Sequence, residues 1–153
     1  MDKDYLLETA HQLKQVSLKT ADEYHQKAEQ LTTKMNEQML ERPDINSLVG
    51  ANNINMMKDN HANHVRFIAS ILKNYNADVL VDTVLWVFRA YRSHGFTSNY
   101  WAAQLNTWII IVKEVLTPEC FADVYPYYEW MQVNIPVFVK VSDEKLEALN
   151  SLH

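Results

Sequence analysis

The chain has 153 residues, of which 48% are hydrophobic, enough for one domain with a substantial buried core. Its formal net charge of -5 gives no indication of a nucleic-acid surface, because such surfaces cluster lysine and arginine. Two glycines and four prolines are too few for the turns of a strand-rich fold. The composition therefore predicts an all-α protein.

The single cysteine, Cys120, excludes an intramolecular disulfide and any CxxC metal or haem-attachment motif. The opening segment, MDKDYLLETAHQLK, lacks the apolar core of a signal peptide, and no apolar run approaches the ~20 residues of a membrane span. We therefore expect a cytoplasmic protein without a membrane-bound segment.

The first forty residues contain neither an internal proline nor a glycine, and their apolar side chains recur at three- and four-residue steps. This pattern predicts one long amphipathic helix over residues 1–42, about 55 Å long at about 1.5 Å per residue. The spacing drifts between Val16 and Ala21, which disfavours a regular coiled coil. A small bundle cannot cover a helix of this length, so we expect a homodimer formed through residues 1–40.

Residues 55–153 are predicted to complete a single domain, 1–153, as a five- to six-helix bundle led by the long N-terminal helix. The apolar periodicity places the remaining helices at 55–75, 77–93, 98–116, 118 to about 133, and after Ser142. The helix at 77–93 is apolar nearly all round, so we expect it to be central. The segment VFVKV, 137–141, alternates enough to predict a short strand, after which Ser142 caps the last helix.

Several residues mark the expected helix ends. Gly95 lies where a left-handed C-terminal cap belongs, and Ser98 is a candidate cap for the next helix. Thr117 followed by Pro118 is a strong helix start. Pro126 is expected to kink the helix that follows.

Two histidines in the segment DNHANHVRF, His61 and His64, lie one helical turn apart and share a helix face. Their spacing allows half of a metal or haem site. A zinc site needs three or four protein ligands, and neither HExxH nor a Cys/His cluster supplies the others. The favoured interpretation is one hydrogen-bonded core histidine and one partly exposed histidine.

The second half of the chain is rich in aromatic residues, and pockets between bundle helices often use aromatic walls for flat ligands. Core packing is the commoner role at this spacing. Arg89 follows Trp86 by three residues, so its guanidinium could meet an anionic ligand or an acidic neighbour. The candidate ligand-binding residues are His61, His64, Trp86, Arg89, Trp101 and Trp108.

An enzyme is the least favoured class. Cys120 lies in the first turn of its helix but has no base near it in sequence, and free cysteines are usually core residues. Two isolated glycines cannot form a phosphate-binding loop or a GxSxG elbow.

The run from His61 to about residue 130 resembles the helical segment that precedes cobalamin-binding domains in some bacterial regulatory proteins. The shared features are His64 with Phe67-Ile68-Ala69, the pattern Leu-Val-Asp-x-Val-x-Trp ending at Trp86, and Gly95 after a polar turn. The resemblance implies a bacterial sensory or regulatory module. The sequence contains no Asp-x-His-x-x-Gly motif, so the resemblance does not extend to cobalamin ligation. A globin-like stress-sensor module is a second, more remote likeness in fold.

Three functions follow as expectations. The first is a non-catalytic regulatory module that binds a small flat or apolar ligand, or a protein partner, and signals through the long N-terminal helix. The second is a protein that binds a metal, haem or another tetrapyrrole through His61 and His64. The third is a dimerisation or adaptor bundle without any small ligand.

Overall fold

The computed structural model describes residues 1–151, with side chains up to residue 144. Over that range the chain forms nine α-helices and no strand, which confirms the all-α bundle. The helices are α1 (Lys3–Ala10), α2 (Leu18–Gln26), α3 (Ala28–Leu40), α4 (Ile45–Val49), α5 (Ile54–Lys73), α6 (Ala77–Arg92), α7 (Ser98–Val115), α8 (Pro118–Val133) and α9 (Ile135–Ser151).

The prediction of one long N-terminal helix is wrong, because the chain leaves the helix after Ala10 and re-enters it at Leu18. Side chains from elsewhere satisfy the backbone in between. The Tyr75 hydroxyl donates to the carbonyl of Ala10, and the Tyr127 hydroxyl donates to that of Lys14. Ser17 then caps α2 by accepting the Thr20 N–H at 3.2 Å. These tertiary hydrogen bonds replace the helical ones, so neither proline nor glycine is needed for the break.

A second interruption at Lys27 separates α2 from α3. There the Lys27 ammonium donates to the Glu23 carboxylate at 3.1 Å and to the Val115 carbonyl at 3.0 Å. The three short helices fold back on the same chain: α1 packs on α6, α2 on α5 and α8, and α3 on α5 and α7. A homodimer through residues 1–40 was expected because a small bundle cannot cover one long helix. The segment instead packs on its own chain, so this reason no longer applies.

The middle of the chain agrees with the predicted helices, since α5 to α8 begin and end within two residues of the expected positions. Gly95 adopts a φ of 103°, with the N–H of Phe96 bonded to the carbonyl of Tyr91 and its own N–H bonded to that of Arg92. This is the predicted left-handed cap. Thr117 accepts the N–H of Cys120 at 3.4 Å, as expected for a cap.

Some local predictions in this part need correction. Thr97 rather than Ser98 is the N-cap of α7, and its backbone N–H is held by the carbonyl of Leu48 at 2.9 Å. The short helix α4, which supplies that carbonyl, lies between the first two predicted helices, 1–42 and 55–75. Pro126 lies inside α8, and the kink expected there stays a prediction.

The predicted strand at 137–141 is helical and belongs to α9, which begins seven residues before Ser142. Pro136 is the second residue of that helix, where a missing N–H costs nothing. Val137 and Phe138 are buried against the bundle. Ser142 lies inside the helix and donates its hydroxyl to the carbonyl of Phe138 at 2.6 Å, so it does not act as a cap.

Helix α6 is peripheral rather than central, because it packs mainly on α9 and α1 and leaves Val79 and Trp86 exposed. The buried apolar side chains of the described residues form one core cluster that extends from Leu6 to Phe138. Within the described residues, no helix combines the length and the apolarity needed to cross a membrane.

Candidate ligand-binding site

A cavity of about 210 Å³ lies among α5, α6 and α7, with one residue from α8 and one from α9 in its wall. For comparison, an engineered apolar cavity of about 150 Å³ binds benzene. Six of the fifteen lining residues are aromatic: Phe67, Trp86, Phe88, Tyr91, Trp101 and Phe138. The volume therefore suits a molecule of one or two rings.

The aromatic wall is held rigidly by contacts among its own rings. Phe88 and Trp101 stack with centroids 4.4 Å apart, and Tyr91 meets Trp101 edge-on at 6.1 Å. Phe138 packs on the other side of Phe88 at 5.2 Å. Trp86 differs from these residues because it is 60% exposed. It therefore stands at the mouth of the cavity.

A polar section of the wall is formed by Asn60, Asn63, His64, Thr83 and Gln104. Two of these carboxamides are joined, because Gln104 Nε2 donates to Asn60 Oδ1 at 2.7 Å. The Tyr100 hydroxyl donates to the same Asn60 oxygen at 2.8 Å, which fixes the amide orientation. Asn60 and Gln104 are therefore buried and preorganised, whereas His64 and Thr83 are half-buried and Asn63 is exposed.

One donor beside the cavity has no partner among the described residues. Trp101 is 2% exposed, and its indole N–H makes no hydrogen bond. A buried N–H without an acceptor costs about 1–3 kcal/mol. Trp101 also lines the cavity with its ring, but this nitrogen is itself enclosed by protein atoms.

His64 lies between the cavity and the packed interior. Its Nε2 is 2.9 Å from the Tyr128 hydroxyl, which is in turn 2.8 Å from the Tyr24 hydroxyl on α2. Its ring stacks on Trp108 with centroids 4.6 Å apart. Burial, with a smaller contribution from the charge of His61, lowers the pKa of His64 to about 3. The side chain is therefore neutral at physiological pH.

Behind the cavity lies a group of side chains that we call the polar cluster: Tyr24, Asn36, His61, Tyr100, Trp108 and Tyr128. All are fully buried except the half-buried Asn36. His61 Nδ1 is 2.7 Å from Asn36 Oδ1, and its Nε2 is 3.5 Å from the Tyr100 hydroxyl. Burial lowers the pKa of His61 to about 3, so this histidine is also neutral.

Trp108 lies between the two histidines, stacked on His64 and edge-on to His61 at 5.9 Å. The shared helix face of the histidines is thus occupied by an indole ring. Among the described residues, no three His, Cys, Asp or Glu side chains are grouped closely enough to hold a metal ion. A histidine pair alone lacks the third protein ligand of a zinc site.

Of the six predicted site residues, the structure brings three to the cavity wall: His64, Trp86 and Trp101. His61 and Trp108 belong to the polar cluster instead. Arg89 is half-buried on α6 and does not line the cavity.

Sequence reasoning missed the carboxamides of Asn60 and Gln104. A signal for Gln104 was present, because it lies three residues after Trp101 and four before Trp108, on the face that α7 buries. A polar side chain at such a position needs a specific partner. Asn60 sits three residues after the buried Met57 on α5 and could have been identified in the same way.

No known protein family, curated protein or solved structure matches the chain.

Proposed function

We propose that this protein is a non-catalytic binding module for a small, flat, mainly apolar ligand, which occupies the cavity among α5, α6 and α7. The observation that carries the proposal is a cavity of about 210 Å³ with six aromatic side chains in its wall and a fixed Asn60–Gln104 pair on its polar side. An apolar pocket with a few fixed polar groups is the usual form of a small-molecule site.

The volume of the cavity limits the size of the ligand. Pockets for drug-sized molecules enclose about 300–1,000 Å³, so a cavity near 210 Å³ takes a molecule of one or two rings. A haem or another tetrapyrrole has four pyrrole rings around a macrocycle and does not fit this volume. The proposal therefore favours a small ring compound over the tetrapyrrole alternative.

A regulatory role is part of the proposal. His64 lines the cavity, and the hydroxyls of Tyr128 and Tyr24 connect it to α2. A ligand that moves the His64 ring would alter this connection and thereby the stability of α2. In this proposal the N-terminal region still carries the signal to a partner protein, through a short helix rather than a long one.

The test is thermal unfolding in the presence of one- and two-ring probes such as ethylbenzene, indole and naphthalene. A ligand that binds only the folded state raises Tm with its concentration. Val87→Phe fills the cavity from its half-buried wall and should abolish the shift. Val79→Phe is the matched control, since Val79 is 46% exposed on the same helix and does not line the cavity.

The proposal requires that at least one probe raises Tm in the unmodified chain and in Val79→Phe but not in Val87→Phe. If no probe shifts Tm, or if the shift survives Val87→Phe, the cavity is not a binding site.

A further inference from the structure

The described residues that line the cavity carry no formal charge. No Lys, Arg, Asp or Glu is among them, and His64 has a pKa lowered to about 3 by burial. A charged ligand would lose its hydration on entry and meet no counter-charge.

Two charged residues next to the lining on α6 form ion pairs outside it. Asp82 pairs with Lys3 at 2.8 Å, and Arg92 pairs with Asp143 at 2.5 Å. These ion pairs keep both charges on partners that do not line the cavity.

One polar group of the wall remains unpaired within the described structure. The Gln104 carboxamide uses its Nε2 to reach Asn60, and no described hydrogen bond uses its oxygen. A ligand that complements this oxygen needs a hydrogen-bond donor, as a primary carboxamide or a lactam has.

From these features, and resting on the proposed function, we infer that the ligand is a neutral ring compound bearing a carboxamide-like group, with its ring against Phe88 and Trp101 and its N–H at the Gln104 oxygen.

Three isosteric probes test the charge requirement: benzamide is neutral, benzoate is an anion and benzamidine is a cation at neutral pH. Isothermal titration of the unmodified protein should show benzamide binding at least roughly tenfold more tightly than either ion, a ratio equivalent to about 1.4 kcal/mol. Benzoate or benzamidine binding as tightly as benzamide would overturn the inference.

Ethylbenzene separates this inference from the proposed function, because it fills the cavity without any polar group. If ethylbenzene binds and benzamide has no advantage over the ions, the cavity is a ligand site but the assigned class is wrong. If none of the four probes binds, the inference fails, and if indole and naphthalene do not bind either, the proposed function fails with it.

Substitutions at Gln104 test the polar contact. Gln104→Met keeps the length of the side chain, and we expect it to weaken benzamide roughly tenfold and ethylbenzene less than about twofold. Gln104→Glu places a carboxylate in the wall and should shift the preference towards benzamidine by tenfold or more. Gln30→Glu, exposed on α3, makes the same charge change outside the cavity and should leave all affinities unchanged. A benzamide affinity that both Gln104 variants leave unaltered would contradict the assignment.

Discussion

Helix α5 contributes to two regions, the polar cluster through His61 and the cavity through Asn60 and His64, and both regions contain histidine, carboxamide and aromatic side chains. Both also contain a tryptophan whose indole N–H has no partner among the described residues, Trp108 in the cluster and Trp101 at the cavity. The difference is space. The cluster is filled by its own side chains, whereas the cavity leaves about 210 Å³ empty. Residue types therefore do not distinguish a packed core from the wall of a ligand site. The empty volume between the side chains does.

The largest expected effect of this difference is on the stability lost when a tryptophan is removed. We compare Trp108, in the polar cluster, with Trp86, at the mouth of the cavity. Trp108→Ala should lower the free energy of unfolding by about 4 kcal/mol, because a fully buried indole between two histidine rings is replaced by a void. Trp86→Ala, at a 60% exposed position, should cost less than about 1 kcal/mol but weaken ligand binding at the cavity mouth. Urea denaturation of both variants measures the contrast. Equal losses of stability would remove the distinction between the two regions.

The second effect concerns the two histidines and acid. Burial lowers the pKa of both to about 3 in the folded protein, against an ordinary value near 6.5. The unfolded chain therefore binds more protons between these values, and stability that is complete above about pH 6.5 is lost as the pH falls. By pH 5 the loss should reach up to about 2 kcal/mol for each histidine.

Denaturation at pH 7, 6 and 5 measures this loss, and His61→Gln and His64→Gln should each flatten the profile. Glu23 provides an internal reference. Burial acts to raise its pKa, but hydrogen bonds from Thr117 and Lys27 outweigh burial and lower the pKa to about 2. Its contribution is therefore lost only below about pH 4.5. A profile that stays level from pH 7 to pH 5 would mean that the histidines are not buried as described.

The sequence predicts the helices whose signals are local. Thr117-Pro118 starts α8 and Gly95 ends the turn after α6, because caps depend on a few adjacent residues. The break after Ala10 was not predictable in this way. The hydroxyls of Tyr75 and Tyr127, distant in sequence, provide the hydrogen bonds that replace the helix there. The drift in apolar spacing after Val16 was the sign of this helix break that the sequence contained.

The candidate site shows the same limit. Periodicity places His64 and Trp101 on buried faces, and both lie at the cavity. Periodicity cannot tell that Trp108, on the same face of α7 as Trp101, is enclosed by two histidine rings while Trp101 borders empty volume. That difference depends on how α5, α6 and α7 pack, which is set by contacts between residues far apart in the chain.

The last comparison, and the most direct test of the regulatory proposal, concerns the hydroxyl that joins the two regions. Tyr128→Phe removes the contacts to His64 Nε2 and Tyr24 but keeps the ring, and should lower the free energy of unfolding by about 1–2 kcal/mol.

If ligand binding is transmitted to α2 through this hydroxyl, a bound probe should change amide hydrogen exchange in Leu18–Gln26 of the unmodified protein. In Tyr128→Phe the probe should still bind, but exchange in α2 should no longer respond. Tyr127→Phe is the matched control for the loss of a hydroxyl, since that group bonds to the carbonyl of Lys14 and touches neither histidine. A response in α2 that persists without the Tyr128 hydroxyl would show that any communication uses packing of the helices rather than this chain of hydrogen bonds.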